Sequence, residues 1–154
     1  MKIDVRHVYD TEKHFAGTLD PERDIGLEPE VSFTPTGPLA YDMLVQVVGQ
    51  ELLVRGTVDL PVDYECSRCG EKVSTSVKLP AFCHAYPILE DSDIIDVGPD
   101  IREDILLAAP AYPLCFQECK GLCPRCGTNL NTGVCSCQEP GTESPWGALD
   151  DLKI

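Results

Sequence analysis

The chain has 154 residues, 12 basic against 26 acidic side chains and a formal net charge of −14, which allows one domain, or one domain with a small appended module. That charge disfavours tight binding to a nucleic-acid backbone, where basic side chains supply most of the affinity, and suits either a basic partner or plain solubility. The opening MKIDVRHVYD lacks an apolar run of signal-peptide length and no membrane-length run occurs, so a cytoplasmic, reducing setting is expected, in which nine cysteines favour metal over disulfides.

Residues 1–40 are polar and interrupted by Gly17, Pro21, Gly26, Pro29, Pro35, Gly37 and Pro38, so short strands or extended segments joined by turns are expected, one of them near Val31–Phe33. Met43–Val48 is rich in β-branched and apolar residues. Gly49-Gln50 then reads as a hairpin turn, with Leu52–Leu60 as the returning strand. Leu52, Val54, Gly56, Val58 and Leu60 alternate with Leu53, Arg55, Thr57 and Asp59, which gives one largely apolar face, and Pro61 is expected to weaken the ladder.

Cys66-Ser-Arg-Cys69 follows, with Gly70 placed where a left-handed backbone is needed after the second sulfur. Lys72–Ala85 resumes alternation, with Val73, Thr75, Val77 and Leu79 on one face. Pro80 either breaks this strand or puts it at a sheet edge. Glu90–Asp96 reads as an exposed acidic loop, and its clustered Asp91, Asp93 and Asp96 as solvated carboxylates. A helix is expected over about 99–109. Pro99 suits its first position, Asp100, Glu103 and Asp104 favour its N-terminal half, Ile101, Ile105 and Ala108 or Ala109 form the buried stripe, and Pro110 stops it. The rest is a cysteine module and a polar tail carrying Trp146, Leu149 and Leu152, which either docks on the core or binds a partner.

The chemistry is concentrated in the cysteines. A C-x-x-C turn puts two sulfurs on one side of a tight loop, where they grip one tetrahedral ion. Cys123, Cys126, Cys135 and Cys137 lie close enough in sequence to form a local site without help from the fold. Cys66 and Cys69 then need two more ligands, and Cys115 and Cys119 are the natural candidates, with Cys83 or His84 as the alternative. Two structural zinc ions are the expected cofactors, because four sulfurs close each site. Cys83 otherwise reads as a small apolar residue buried on its strand. His84 reads as a surface or core histidine, and His7 and His14 carry no signal.

Two redox chemistries compete. Cys119-x3-Cys123-x2-Cys126 has the spacing of radical S-adenosylmethionine enzymes, but this chain has no room for their barrel, which leaves a different iron–sulfur site as the alternative. A thioredoxin-like dithiol would want its C-x-x-C after a strand and opening a helix, whereas Cys66 and Cys69 precede a strand-like run. No phosphate loop or supported nucleophile is visible, and no catalytic residue is expected.

The layout resembles the YceD-like family, named for large ribosomal RNA subunit accumulation. Cys66-Ser-Arg-Cys69, the helix IREDILLAAP and the run PLCFQECKGLCPRCGTNLNTGVCSC carry the resemblance, the last including Gly121, Leu122, Pro124, Gly127, Asn129, Leu130 and Asn131. It spans roughly residues 25–152, while SPWGALDDL departs from the family's more basic endings. What it implies is a non-enzymatic role in accumulating 23S ribosomal RNA and assembling the large subunit, with a ribosomal protein or assembly intermediate as partner. The alternative is a generic zinc-stabilised interaction adaptor. Arg68, Lys72, Lys120 and Arg125, with Trp146, are the candidates for RNA or partner contact. Asn129 and Asn131 are expected to hydrogen-bond their own turns or nearby backbone.

The expected architecture is α+β, a mainly antiparallel β domain with one principal helix and a C-terminal zinc-ribbon-like cysteine module. In residue terms this is a β-rich domain over 1–110, a metal-binding module over 111–139 packed on it, and a tail over 140–154.

Overall fold

The computed structural model describes residues 1–8, 11–28, 32–88 and 94–137. The fold is mostly antiparallel β. Its centre is a meander of β4 (Leu39–Val48), β5 (Glu51–Glu65) and β6 (Lys72–Pro87), extended by β2 (Lys13–Leu19) beside β4 and by the short β3 (Thr34–Pro35) beside β5. Gly49 and Gln50 make the β4–β5 hairpin, which closes on the pair Val48 and Glu51. Gly49 has φ of 64°, the left-handed geometry such a two-residue turn requires. A second, two-stranded sheet joins β1 (Lys2–Asp4) to β7 (Ile94–Asp96).

Period two decides which side of the large sheet is the core. Leu52, Val54, Val58, Leu60 and Val62 of β5 are buried together with Leu39, Met43 and Val45 of β4. Helix α2 (Gly98–Ala108) contributes Ile101 and Ile105 to this core. Each such side chain contributes about 1.5–3 kcal/mol of burial. Ala109 packs partly against the same core and Ala108 is exposed, which resolves the two readings of the helix stripe. No described polar side chain is buried in the core.

Five expectations need correction. Pro21 and Gly26 bound a helix rather than join strands: α1 (Pro21–Ile25) starts on Pro21, is capped by the Asp20 carboxylate accepting from Arg23 N–H, and stops at Gly26 with φ of 66°. The strand expected near 31–33 is Thr34–Pro35; Phe33 is buried in the core and Val31 lies outside the described residues. Pro61 does not weaken β5, which runs on to Glu65. The Pro61 carbonyl accepts from Thr36 N–H, so its missing N–H faces the gap between β4 and β3 and no bond to β6 is lost. The last part of the acidic stretch, Ile94–Asp96, is strand β7 rather than loop, and Asp96 accepts from Gly98 N–H at the start of α2. Residues 90–93, with Asp91 and Asp93, lie outside the described residues.

The fifth correction concerns β6. Gly56 pairs with Phe82 and Val58 with Leu79, so Pro80 and Ala81 together face Thr57 in a β-bulge. Pro80 therefore sits in a bulge on a strand that pairs only with β5 among the described strands. The extra residue reverses the alternation. Val77 and Leu79 are buried before it and Phe82 after it, while Cys83 is turned to the exposed side instead of the core. His84 returns inward, and its Nε2 lies 3.0 Å from Asp104 Oδ2 on α2. No helix among the described residues is long and apolar enough to cross a membrane.

Candidate metal centre

The same loop is built twice. After β5, Cys66 N–H donates to the Glu71 carbonyl at 2.9 Å, and Gly70 N–H returns to the Cys66 carbonyl at 2.8 Å. In the cysteine module, Cys123 N–H donates to the Thr128 carbonyl at 2.8 Å, and Gly127 N–H returns to the Cys123 carbonyl at 2.9 Å. Gly70 and Gly127 have φ of 71° and 72°, a backbone that other residues adopt only at a cost. Each loop turns N–H groups toward its first sulfur.

Two cages result. The sulfurs of Cys66, Cys69, Cys115 and Cys119 lie within 4.8 Å of one another, as do those of Cys123, Cys126, Cys135 and Cys137. In the first, Cys66 Sγ is 3.8 Å from Cys119 Sγ and Cys69 Sγ is 3.6 Å from Cys115 Sγ. A metal–thiolate bond of about 2.3 Å in tetrahedral geometry places sulfurs about 3.8 Å apart, whereas a disulfide needs about 2.05 Å. The cages thus suit a single thiophilic ion, and either can hold one. An iron–sulfur cluster, with sulfides between its irons, would hold its cysteines further apart. Cys83 belongs to neither cage, and His84 is occupied by Asp104.

The electrostatics of each cage are in conflict until a cation enters. Burial opposes ionisation of Cys66, but the N–H groups of Cys115, Arg68 and Cys69 outweigh it and draw the thiol down to about 6. Burial and the crowding of Cys119, Cys69 and Cys66 push Cys115 up to about 12. In the second cage the N–H groups of Cys126 and Arg125 draw Cys123 down to about 6, while the Cys126 thiol and burial push Cys137 up to about 12. One thiolate in each cage raises the cost of the next, and a divalent cation removes that repulsion.

The cages interlock. Arg68 lies on the first knuckle; its guanidinium donates to the Cys119 carbonyl at 2.8 Å, and its own carbonyl accepts from Leu122 N–H at 3.1 Å. Ser67 N–H donates to the Pro113 carbonyl and Tyr64 Oη donates to the Leu114 carbonyl, tying the chain after α2 to the end of β5. Asn131, within the second loop, donates from Nδ2 to Cys119 Sγ at 3.2 Å while its Oδ1 accepts from Lys120 N–H at 2.8 Å. Asn129 donates to Glu71 Oε1 at 2.8 Å and accepts from Asn131 N–H at 2.9 Å. The sequence marks both asparagines as turn-formers; that Asn131 reaches a sulfur of the other cage has no sequence signal.

Arg68, Lys72, Lys120 and Arg125 are all exposed. Trp146 lies outside the described residues. Large apolar side chains are exposed around them: Tyr112 at 83%, Val134 at 98%, and Phe116 and Leu122 at about half.

Residues 84–153 match the family described as large ribosomal RNA subunit accumulation protein YceD. An uncharacterised protein of Mycobacterium leprae is 32% identical over 134 residues, covering 75% of this chain and 59% of that protein. Its counterpart in Mycobacterium bovis is 32% identical over 127 residues, covering 73% and 61%. The chain thus spans about three fifths of the length of these relatives. The chloroplastic YCED homolog 1 of Arabidopsis thaliana, described as a large ribosomal RNA subunit accumulation protein, is 34% identical over 59 residues, 38% of this chain and 18% of that protein. No solved structure matches.

Proposed function

The chain belongs to the YceD-like family, and on that premise we propose that it is a non-enzymatic, zinc-stabilised factor supporting 23S ribosomal RNA accumulation and large-subunit assembly in the cytoplasm. One observation carries the reading: the family match over 84–153 includes six of the eight cage cysteines and the Asn129–Asn131 turn that joins the two cages. Cys66, Cys69, Cys115 and Cys119 would hold one zinc, and Cys123, Cys126, Cys135 and Cys137 a second. Four thiolates per ion leave no position for substrate, so the metal's part is to staple the zinc-ribbon-like module (111–139) to the β-rich domain (1–110).

Charge supports a division of labour. Residues 65–72 and 111–137 carry four of the 12 basic residues and only three of the 26 acidic ones. Most acidic side chains therefore lie outside the cysteine end, whose remaining negative charge is that of the metal-bound thiolates, and the acidic body suits a basic ribosomal protein or an assembly intermediate. The cysteine end presents Arg68, Lys72, Lys120 and Arg125 beside exposed Tyr112, Phe116, Leu122 and Val134, and is the face offered for direct partner or RNA contact.

Co-sedimentation of the purified zinc-loaded protein with large-subunit precursors tests this. The reading predicts association with precursor particles, weakened when Arg68, Lys120 and Arg125 are changed to Glu. Binding to neither precursor particles nor any large-subunit protein would leave only the zinc-stabilised adaptor.

A further inference from the structure

The two cages are not equivalent. Cys66, Cys69 and Cys119 of the first are buried and Cys115 is half-buried, whereas in the second Cys123 alone is buried, Cys126 is exposed and Cys135 and Cys137 are half-buried. The first cage joins segments about fifty residues apart in sequence. The second closes only its own short loop, and that loop carries Asn129, Leu130 and Asn131.

Those three residues reach out of their loop toward the first cage. Leu130 N–H donates to the Gly121 carbonyl at 2.9 Å, and Asn129 grips Glu71 beside the first knuckle. Asn131 supplies an N–H to the sulfur of Cys119 while its other end holds the Lys120 N–H. A hydrogen bond from outside a metal's ligand shell stabilises the thiolate against protonation and exchange, and losing one typically costs about 10–100-fold in metal affinity. Asn131 lies in the loop between the Cys123–Cys126 knuckle and the Cys135–Cys137 pair, whose four sulfurs close that loop on itself.

We infer that the second cage is an exchangeable metal site, and that Asn131 relays its occupancy to the first, fold-closing site through Cys119. The inference rests on the reading that both cages hold zinc. Emptying the outer site lets the 123–137 loop relax, withdraws the Asn131 N–H from Cys119, and so loosens the inner ion. The outer site thus makes the attachment of the cysteine module to the β body sensitive to available metal.

The test is zinc release from the anaerobically purified protein into a chelating dye, with cobalt-substituted protein used to follow each four-sulfur site by its thiolate charge-transfer band. The prediction is two ions per chain leaving in two phases. Asn131→Asp keeps an acceptor for Lys120 N–H but cannot donate to sulfur; it should retain both ions and speed the slow phase about 10-fold. Cys137→Ser should abolish the fast phase and speed the slow one. Equal release of both ions in the parent protein would overturn the inference, as would a slow phase unchanged in both variants. Fewer than two ions per chain after reloading with excess zinc would overturn the zinc reading itself, and the relay with it.

Discussion

Gly121 is pressed against the main chain of Arg68, so a β-carbon at Gly121 would sit 3.0 Å from the Arg68 carbonyl oxygen. Gly121 also has φ of 75°, and its carbonyl accepts from Leu130 N–H. This contact is where the first knuckle, the chain leading to the second and the Asn129–Asn131 turn meet. Gly121→Ala adds both a left-handed strain and a clash, and should destabilise the holo-protein by about 1–3 kcal/mol in denaturant unfolding. A neutral effect would show that the two knuckles do not depend on this close approach.

Helix α2 offers a paired test. Ile105 is fully buried against the sheet, and Leu107, two residues on, is 76% exposed. Ile105→Ala should cost about 2–5 kcal/mol, while Leu107→Ala should change stability by no more than about 0.5 kcal/mol. Similar losses for the two would contradict the packing of α2 on β6.

Thiol labelling separates Cys83 from the other cysteines. It is exposed on β6 and lies outside both cages. Brief maleimide treatment of metal-loaded protein should modify one thiol, Cys83, and treatment after chelation under denaturing conditions should modify all nine. Cys83→Ser should leave metal content unchanged. Rapid modification of several thiols in the metal-loaded protein would show that the cages do not shield their sulfurs.

Chelation should also lower the melting temperature, because metal held only by the folded chain adds its binding free energy to stability. Cys66→Ser should be more damaging than Cys126→Ser. The first removes a buried sulfur that ties β5 to the chain after α2; the second removes an exposed one from a short local loop.

The readable parts of the sequence are those governed by local chemistry. Gly49-Gln50 between an apolar, β-branched run and an alternating one specifies the β4–β5 hairpin, and Gly70 and Gly127 mark where each knuckle must turn left-handed. Pro99 and the acidic residues after it locate α2, which begins one residue earlier than expected. The unreadable parts depend on distant partners or on a single irregularity. Ile94–Asp96 becomes a strand because Lys2–Asp4 pairs with it from the other end of the chain. Cys83 faces outward because one bulge at Pro80 and Ala81 inverts a pattern that otherwise predicts burial. Pro21 and Gly26 look like interruptions until Asp20 is seen to cap the short helix between them. The bond from Asn131 to Cys119 appears only once both knuckles are folded against each other.

The most direct measurement of the central claim is the ratio of large to small ribosomal subunits, with 23S precursor levels, in cells lacking this protein. The account predicts a selective loss of large-subunit particles and of 23S ribosomal RNA, restored by the parent chain and not by a variant lacking the first-cage cysteines. Unchanged particles with unchanged precursor would contradict it.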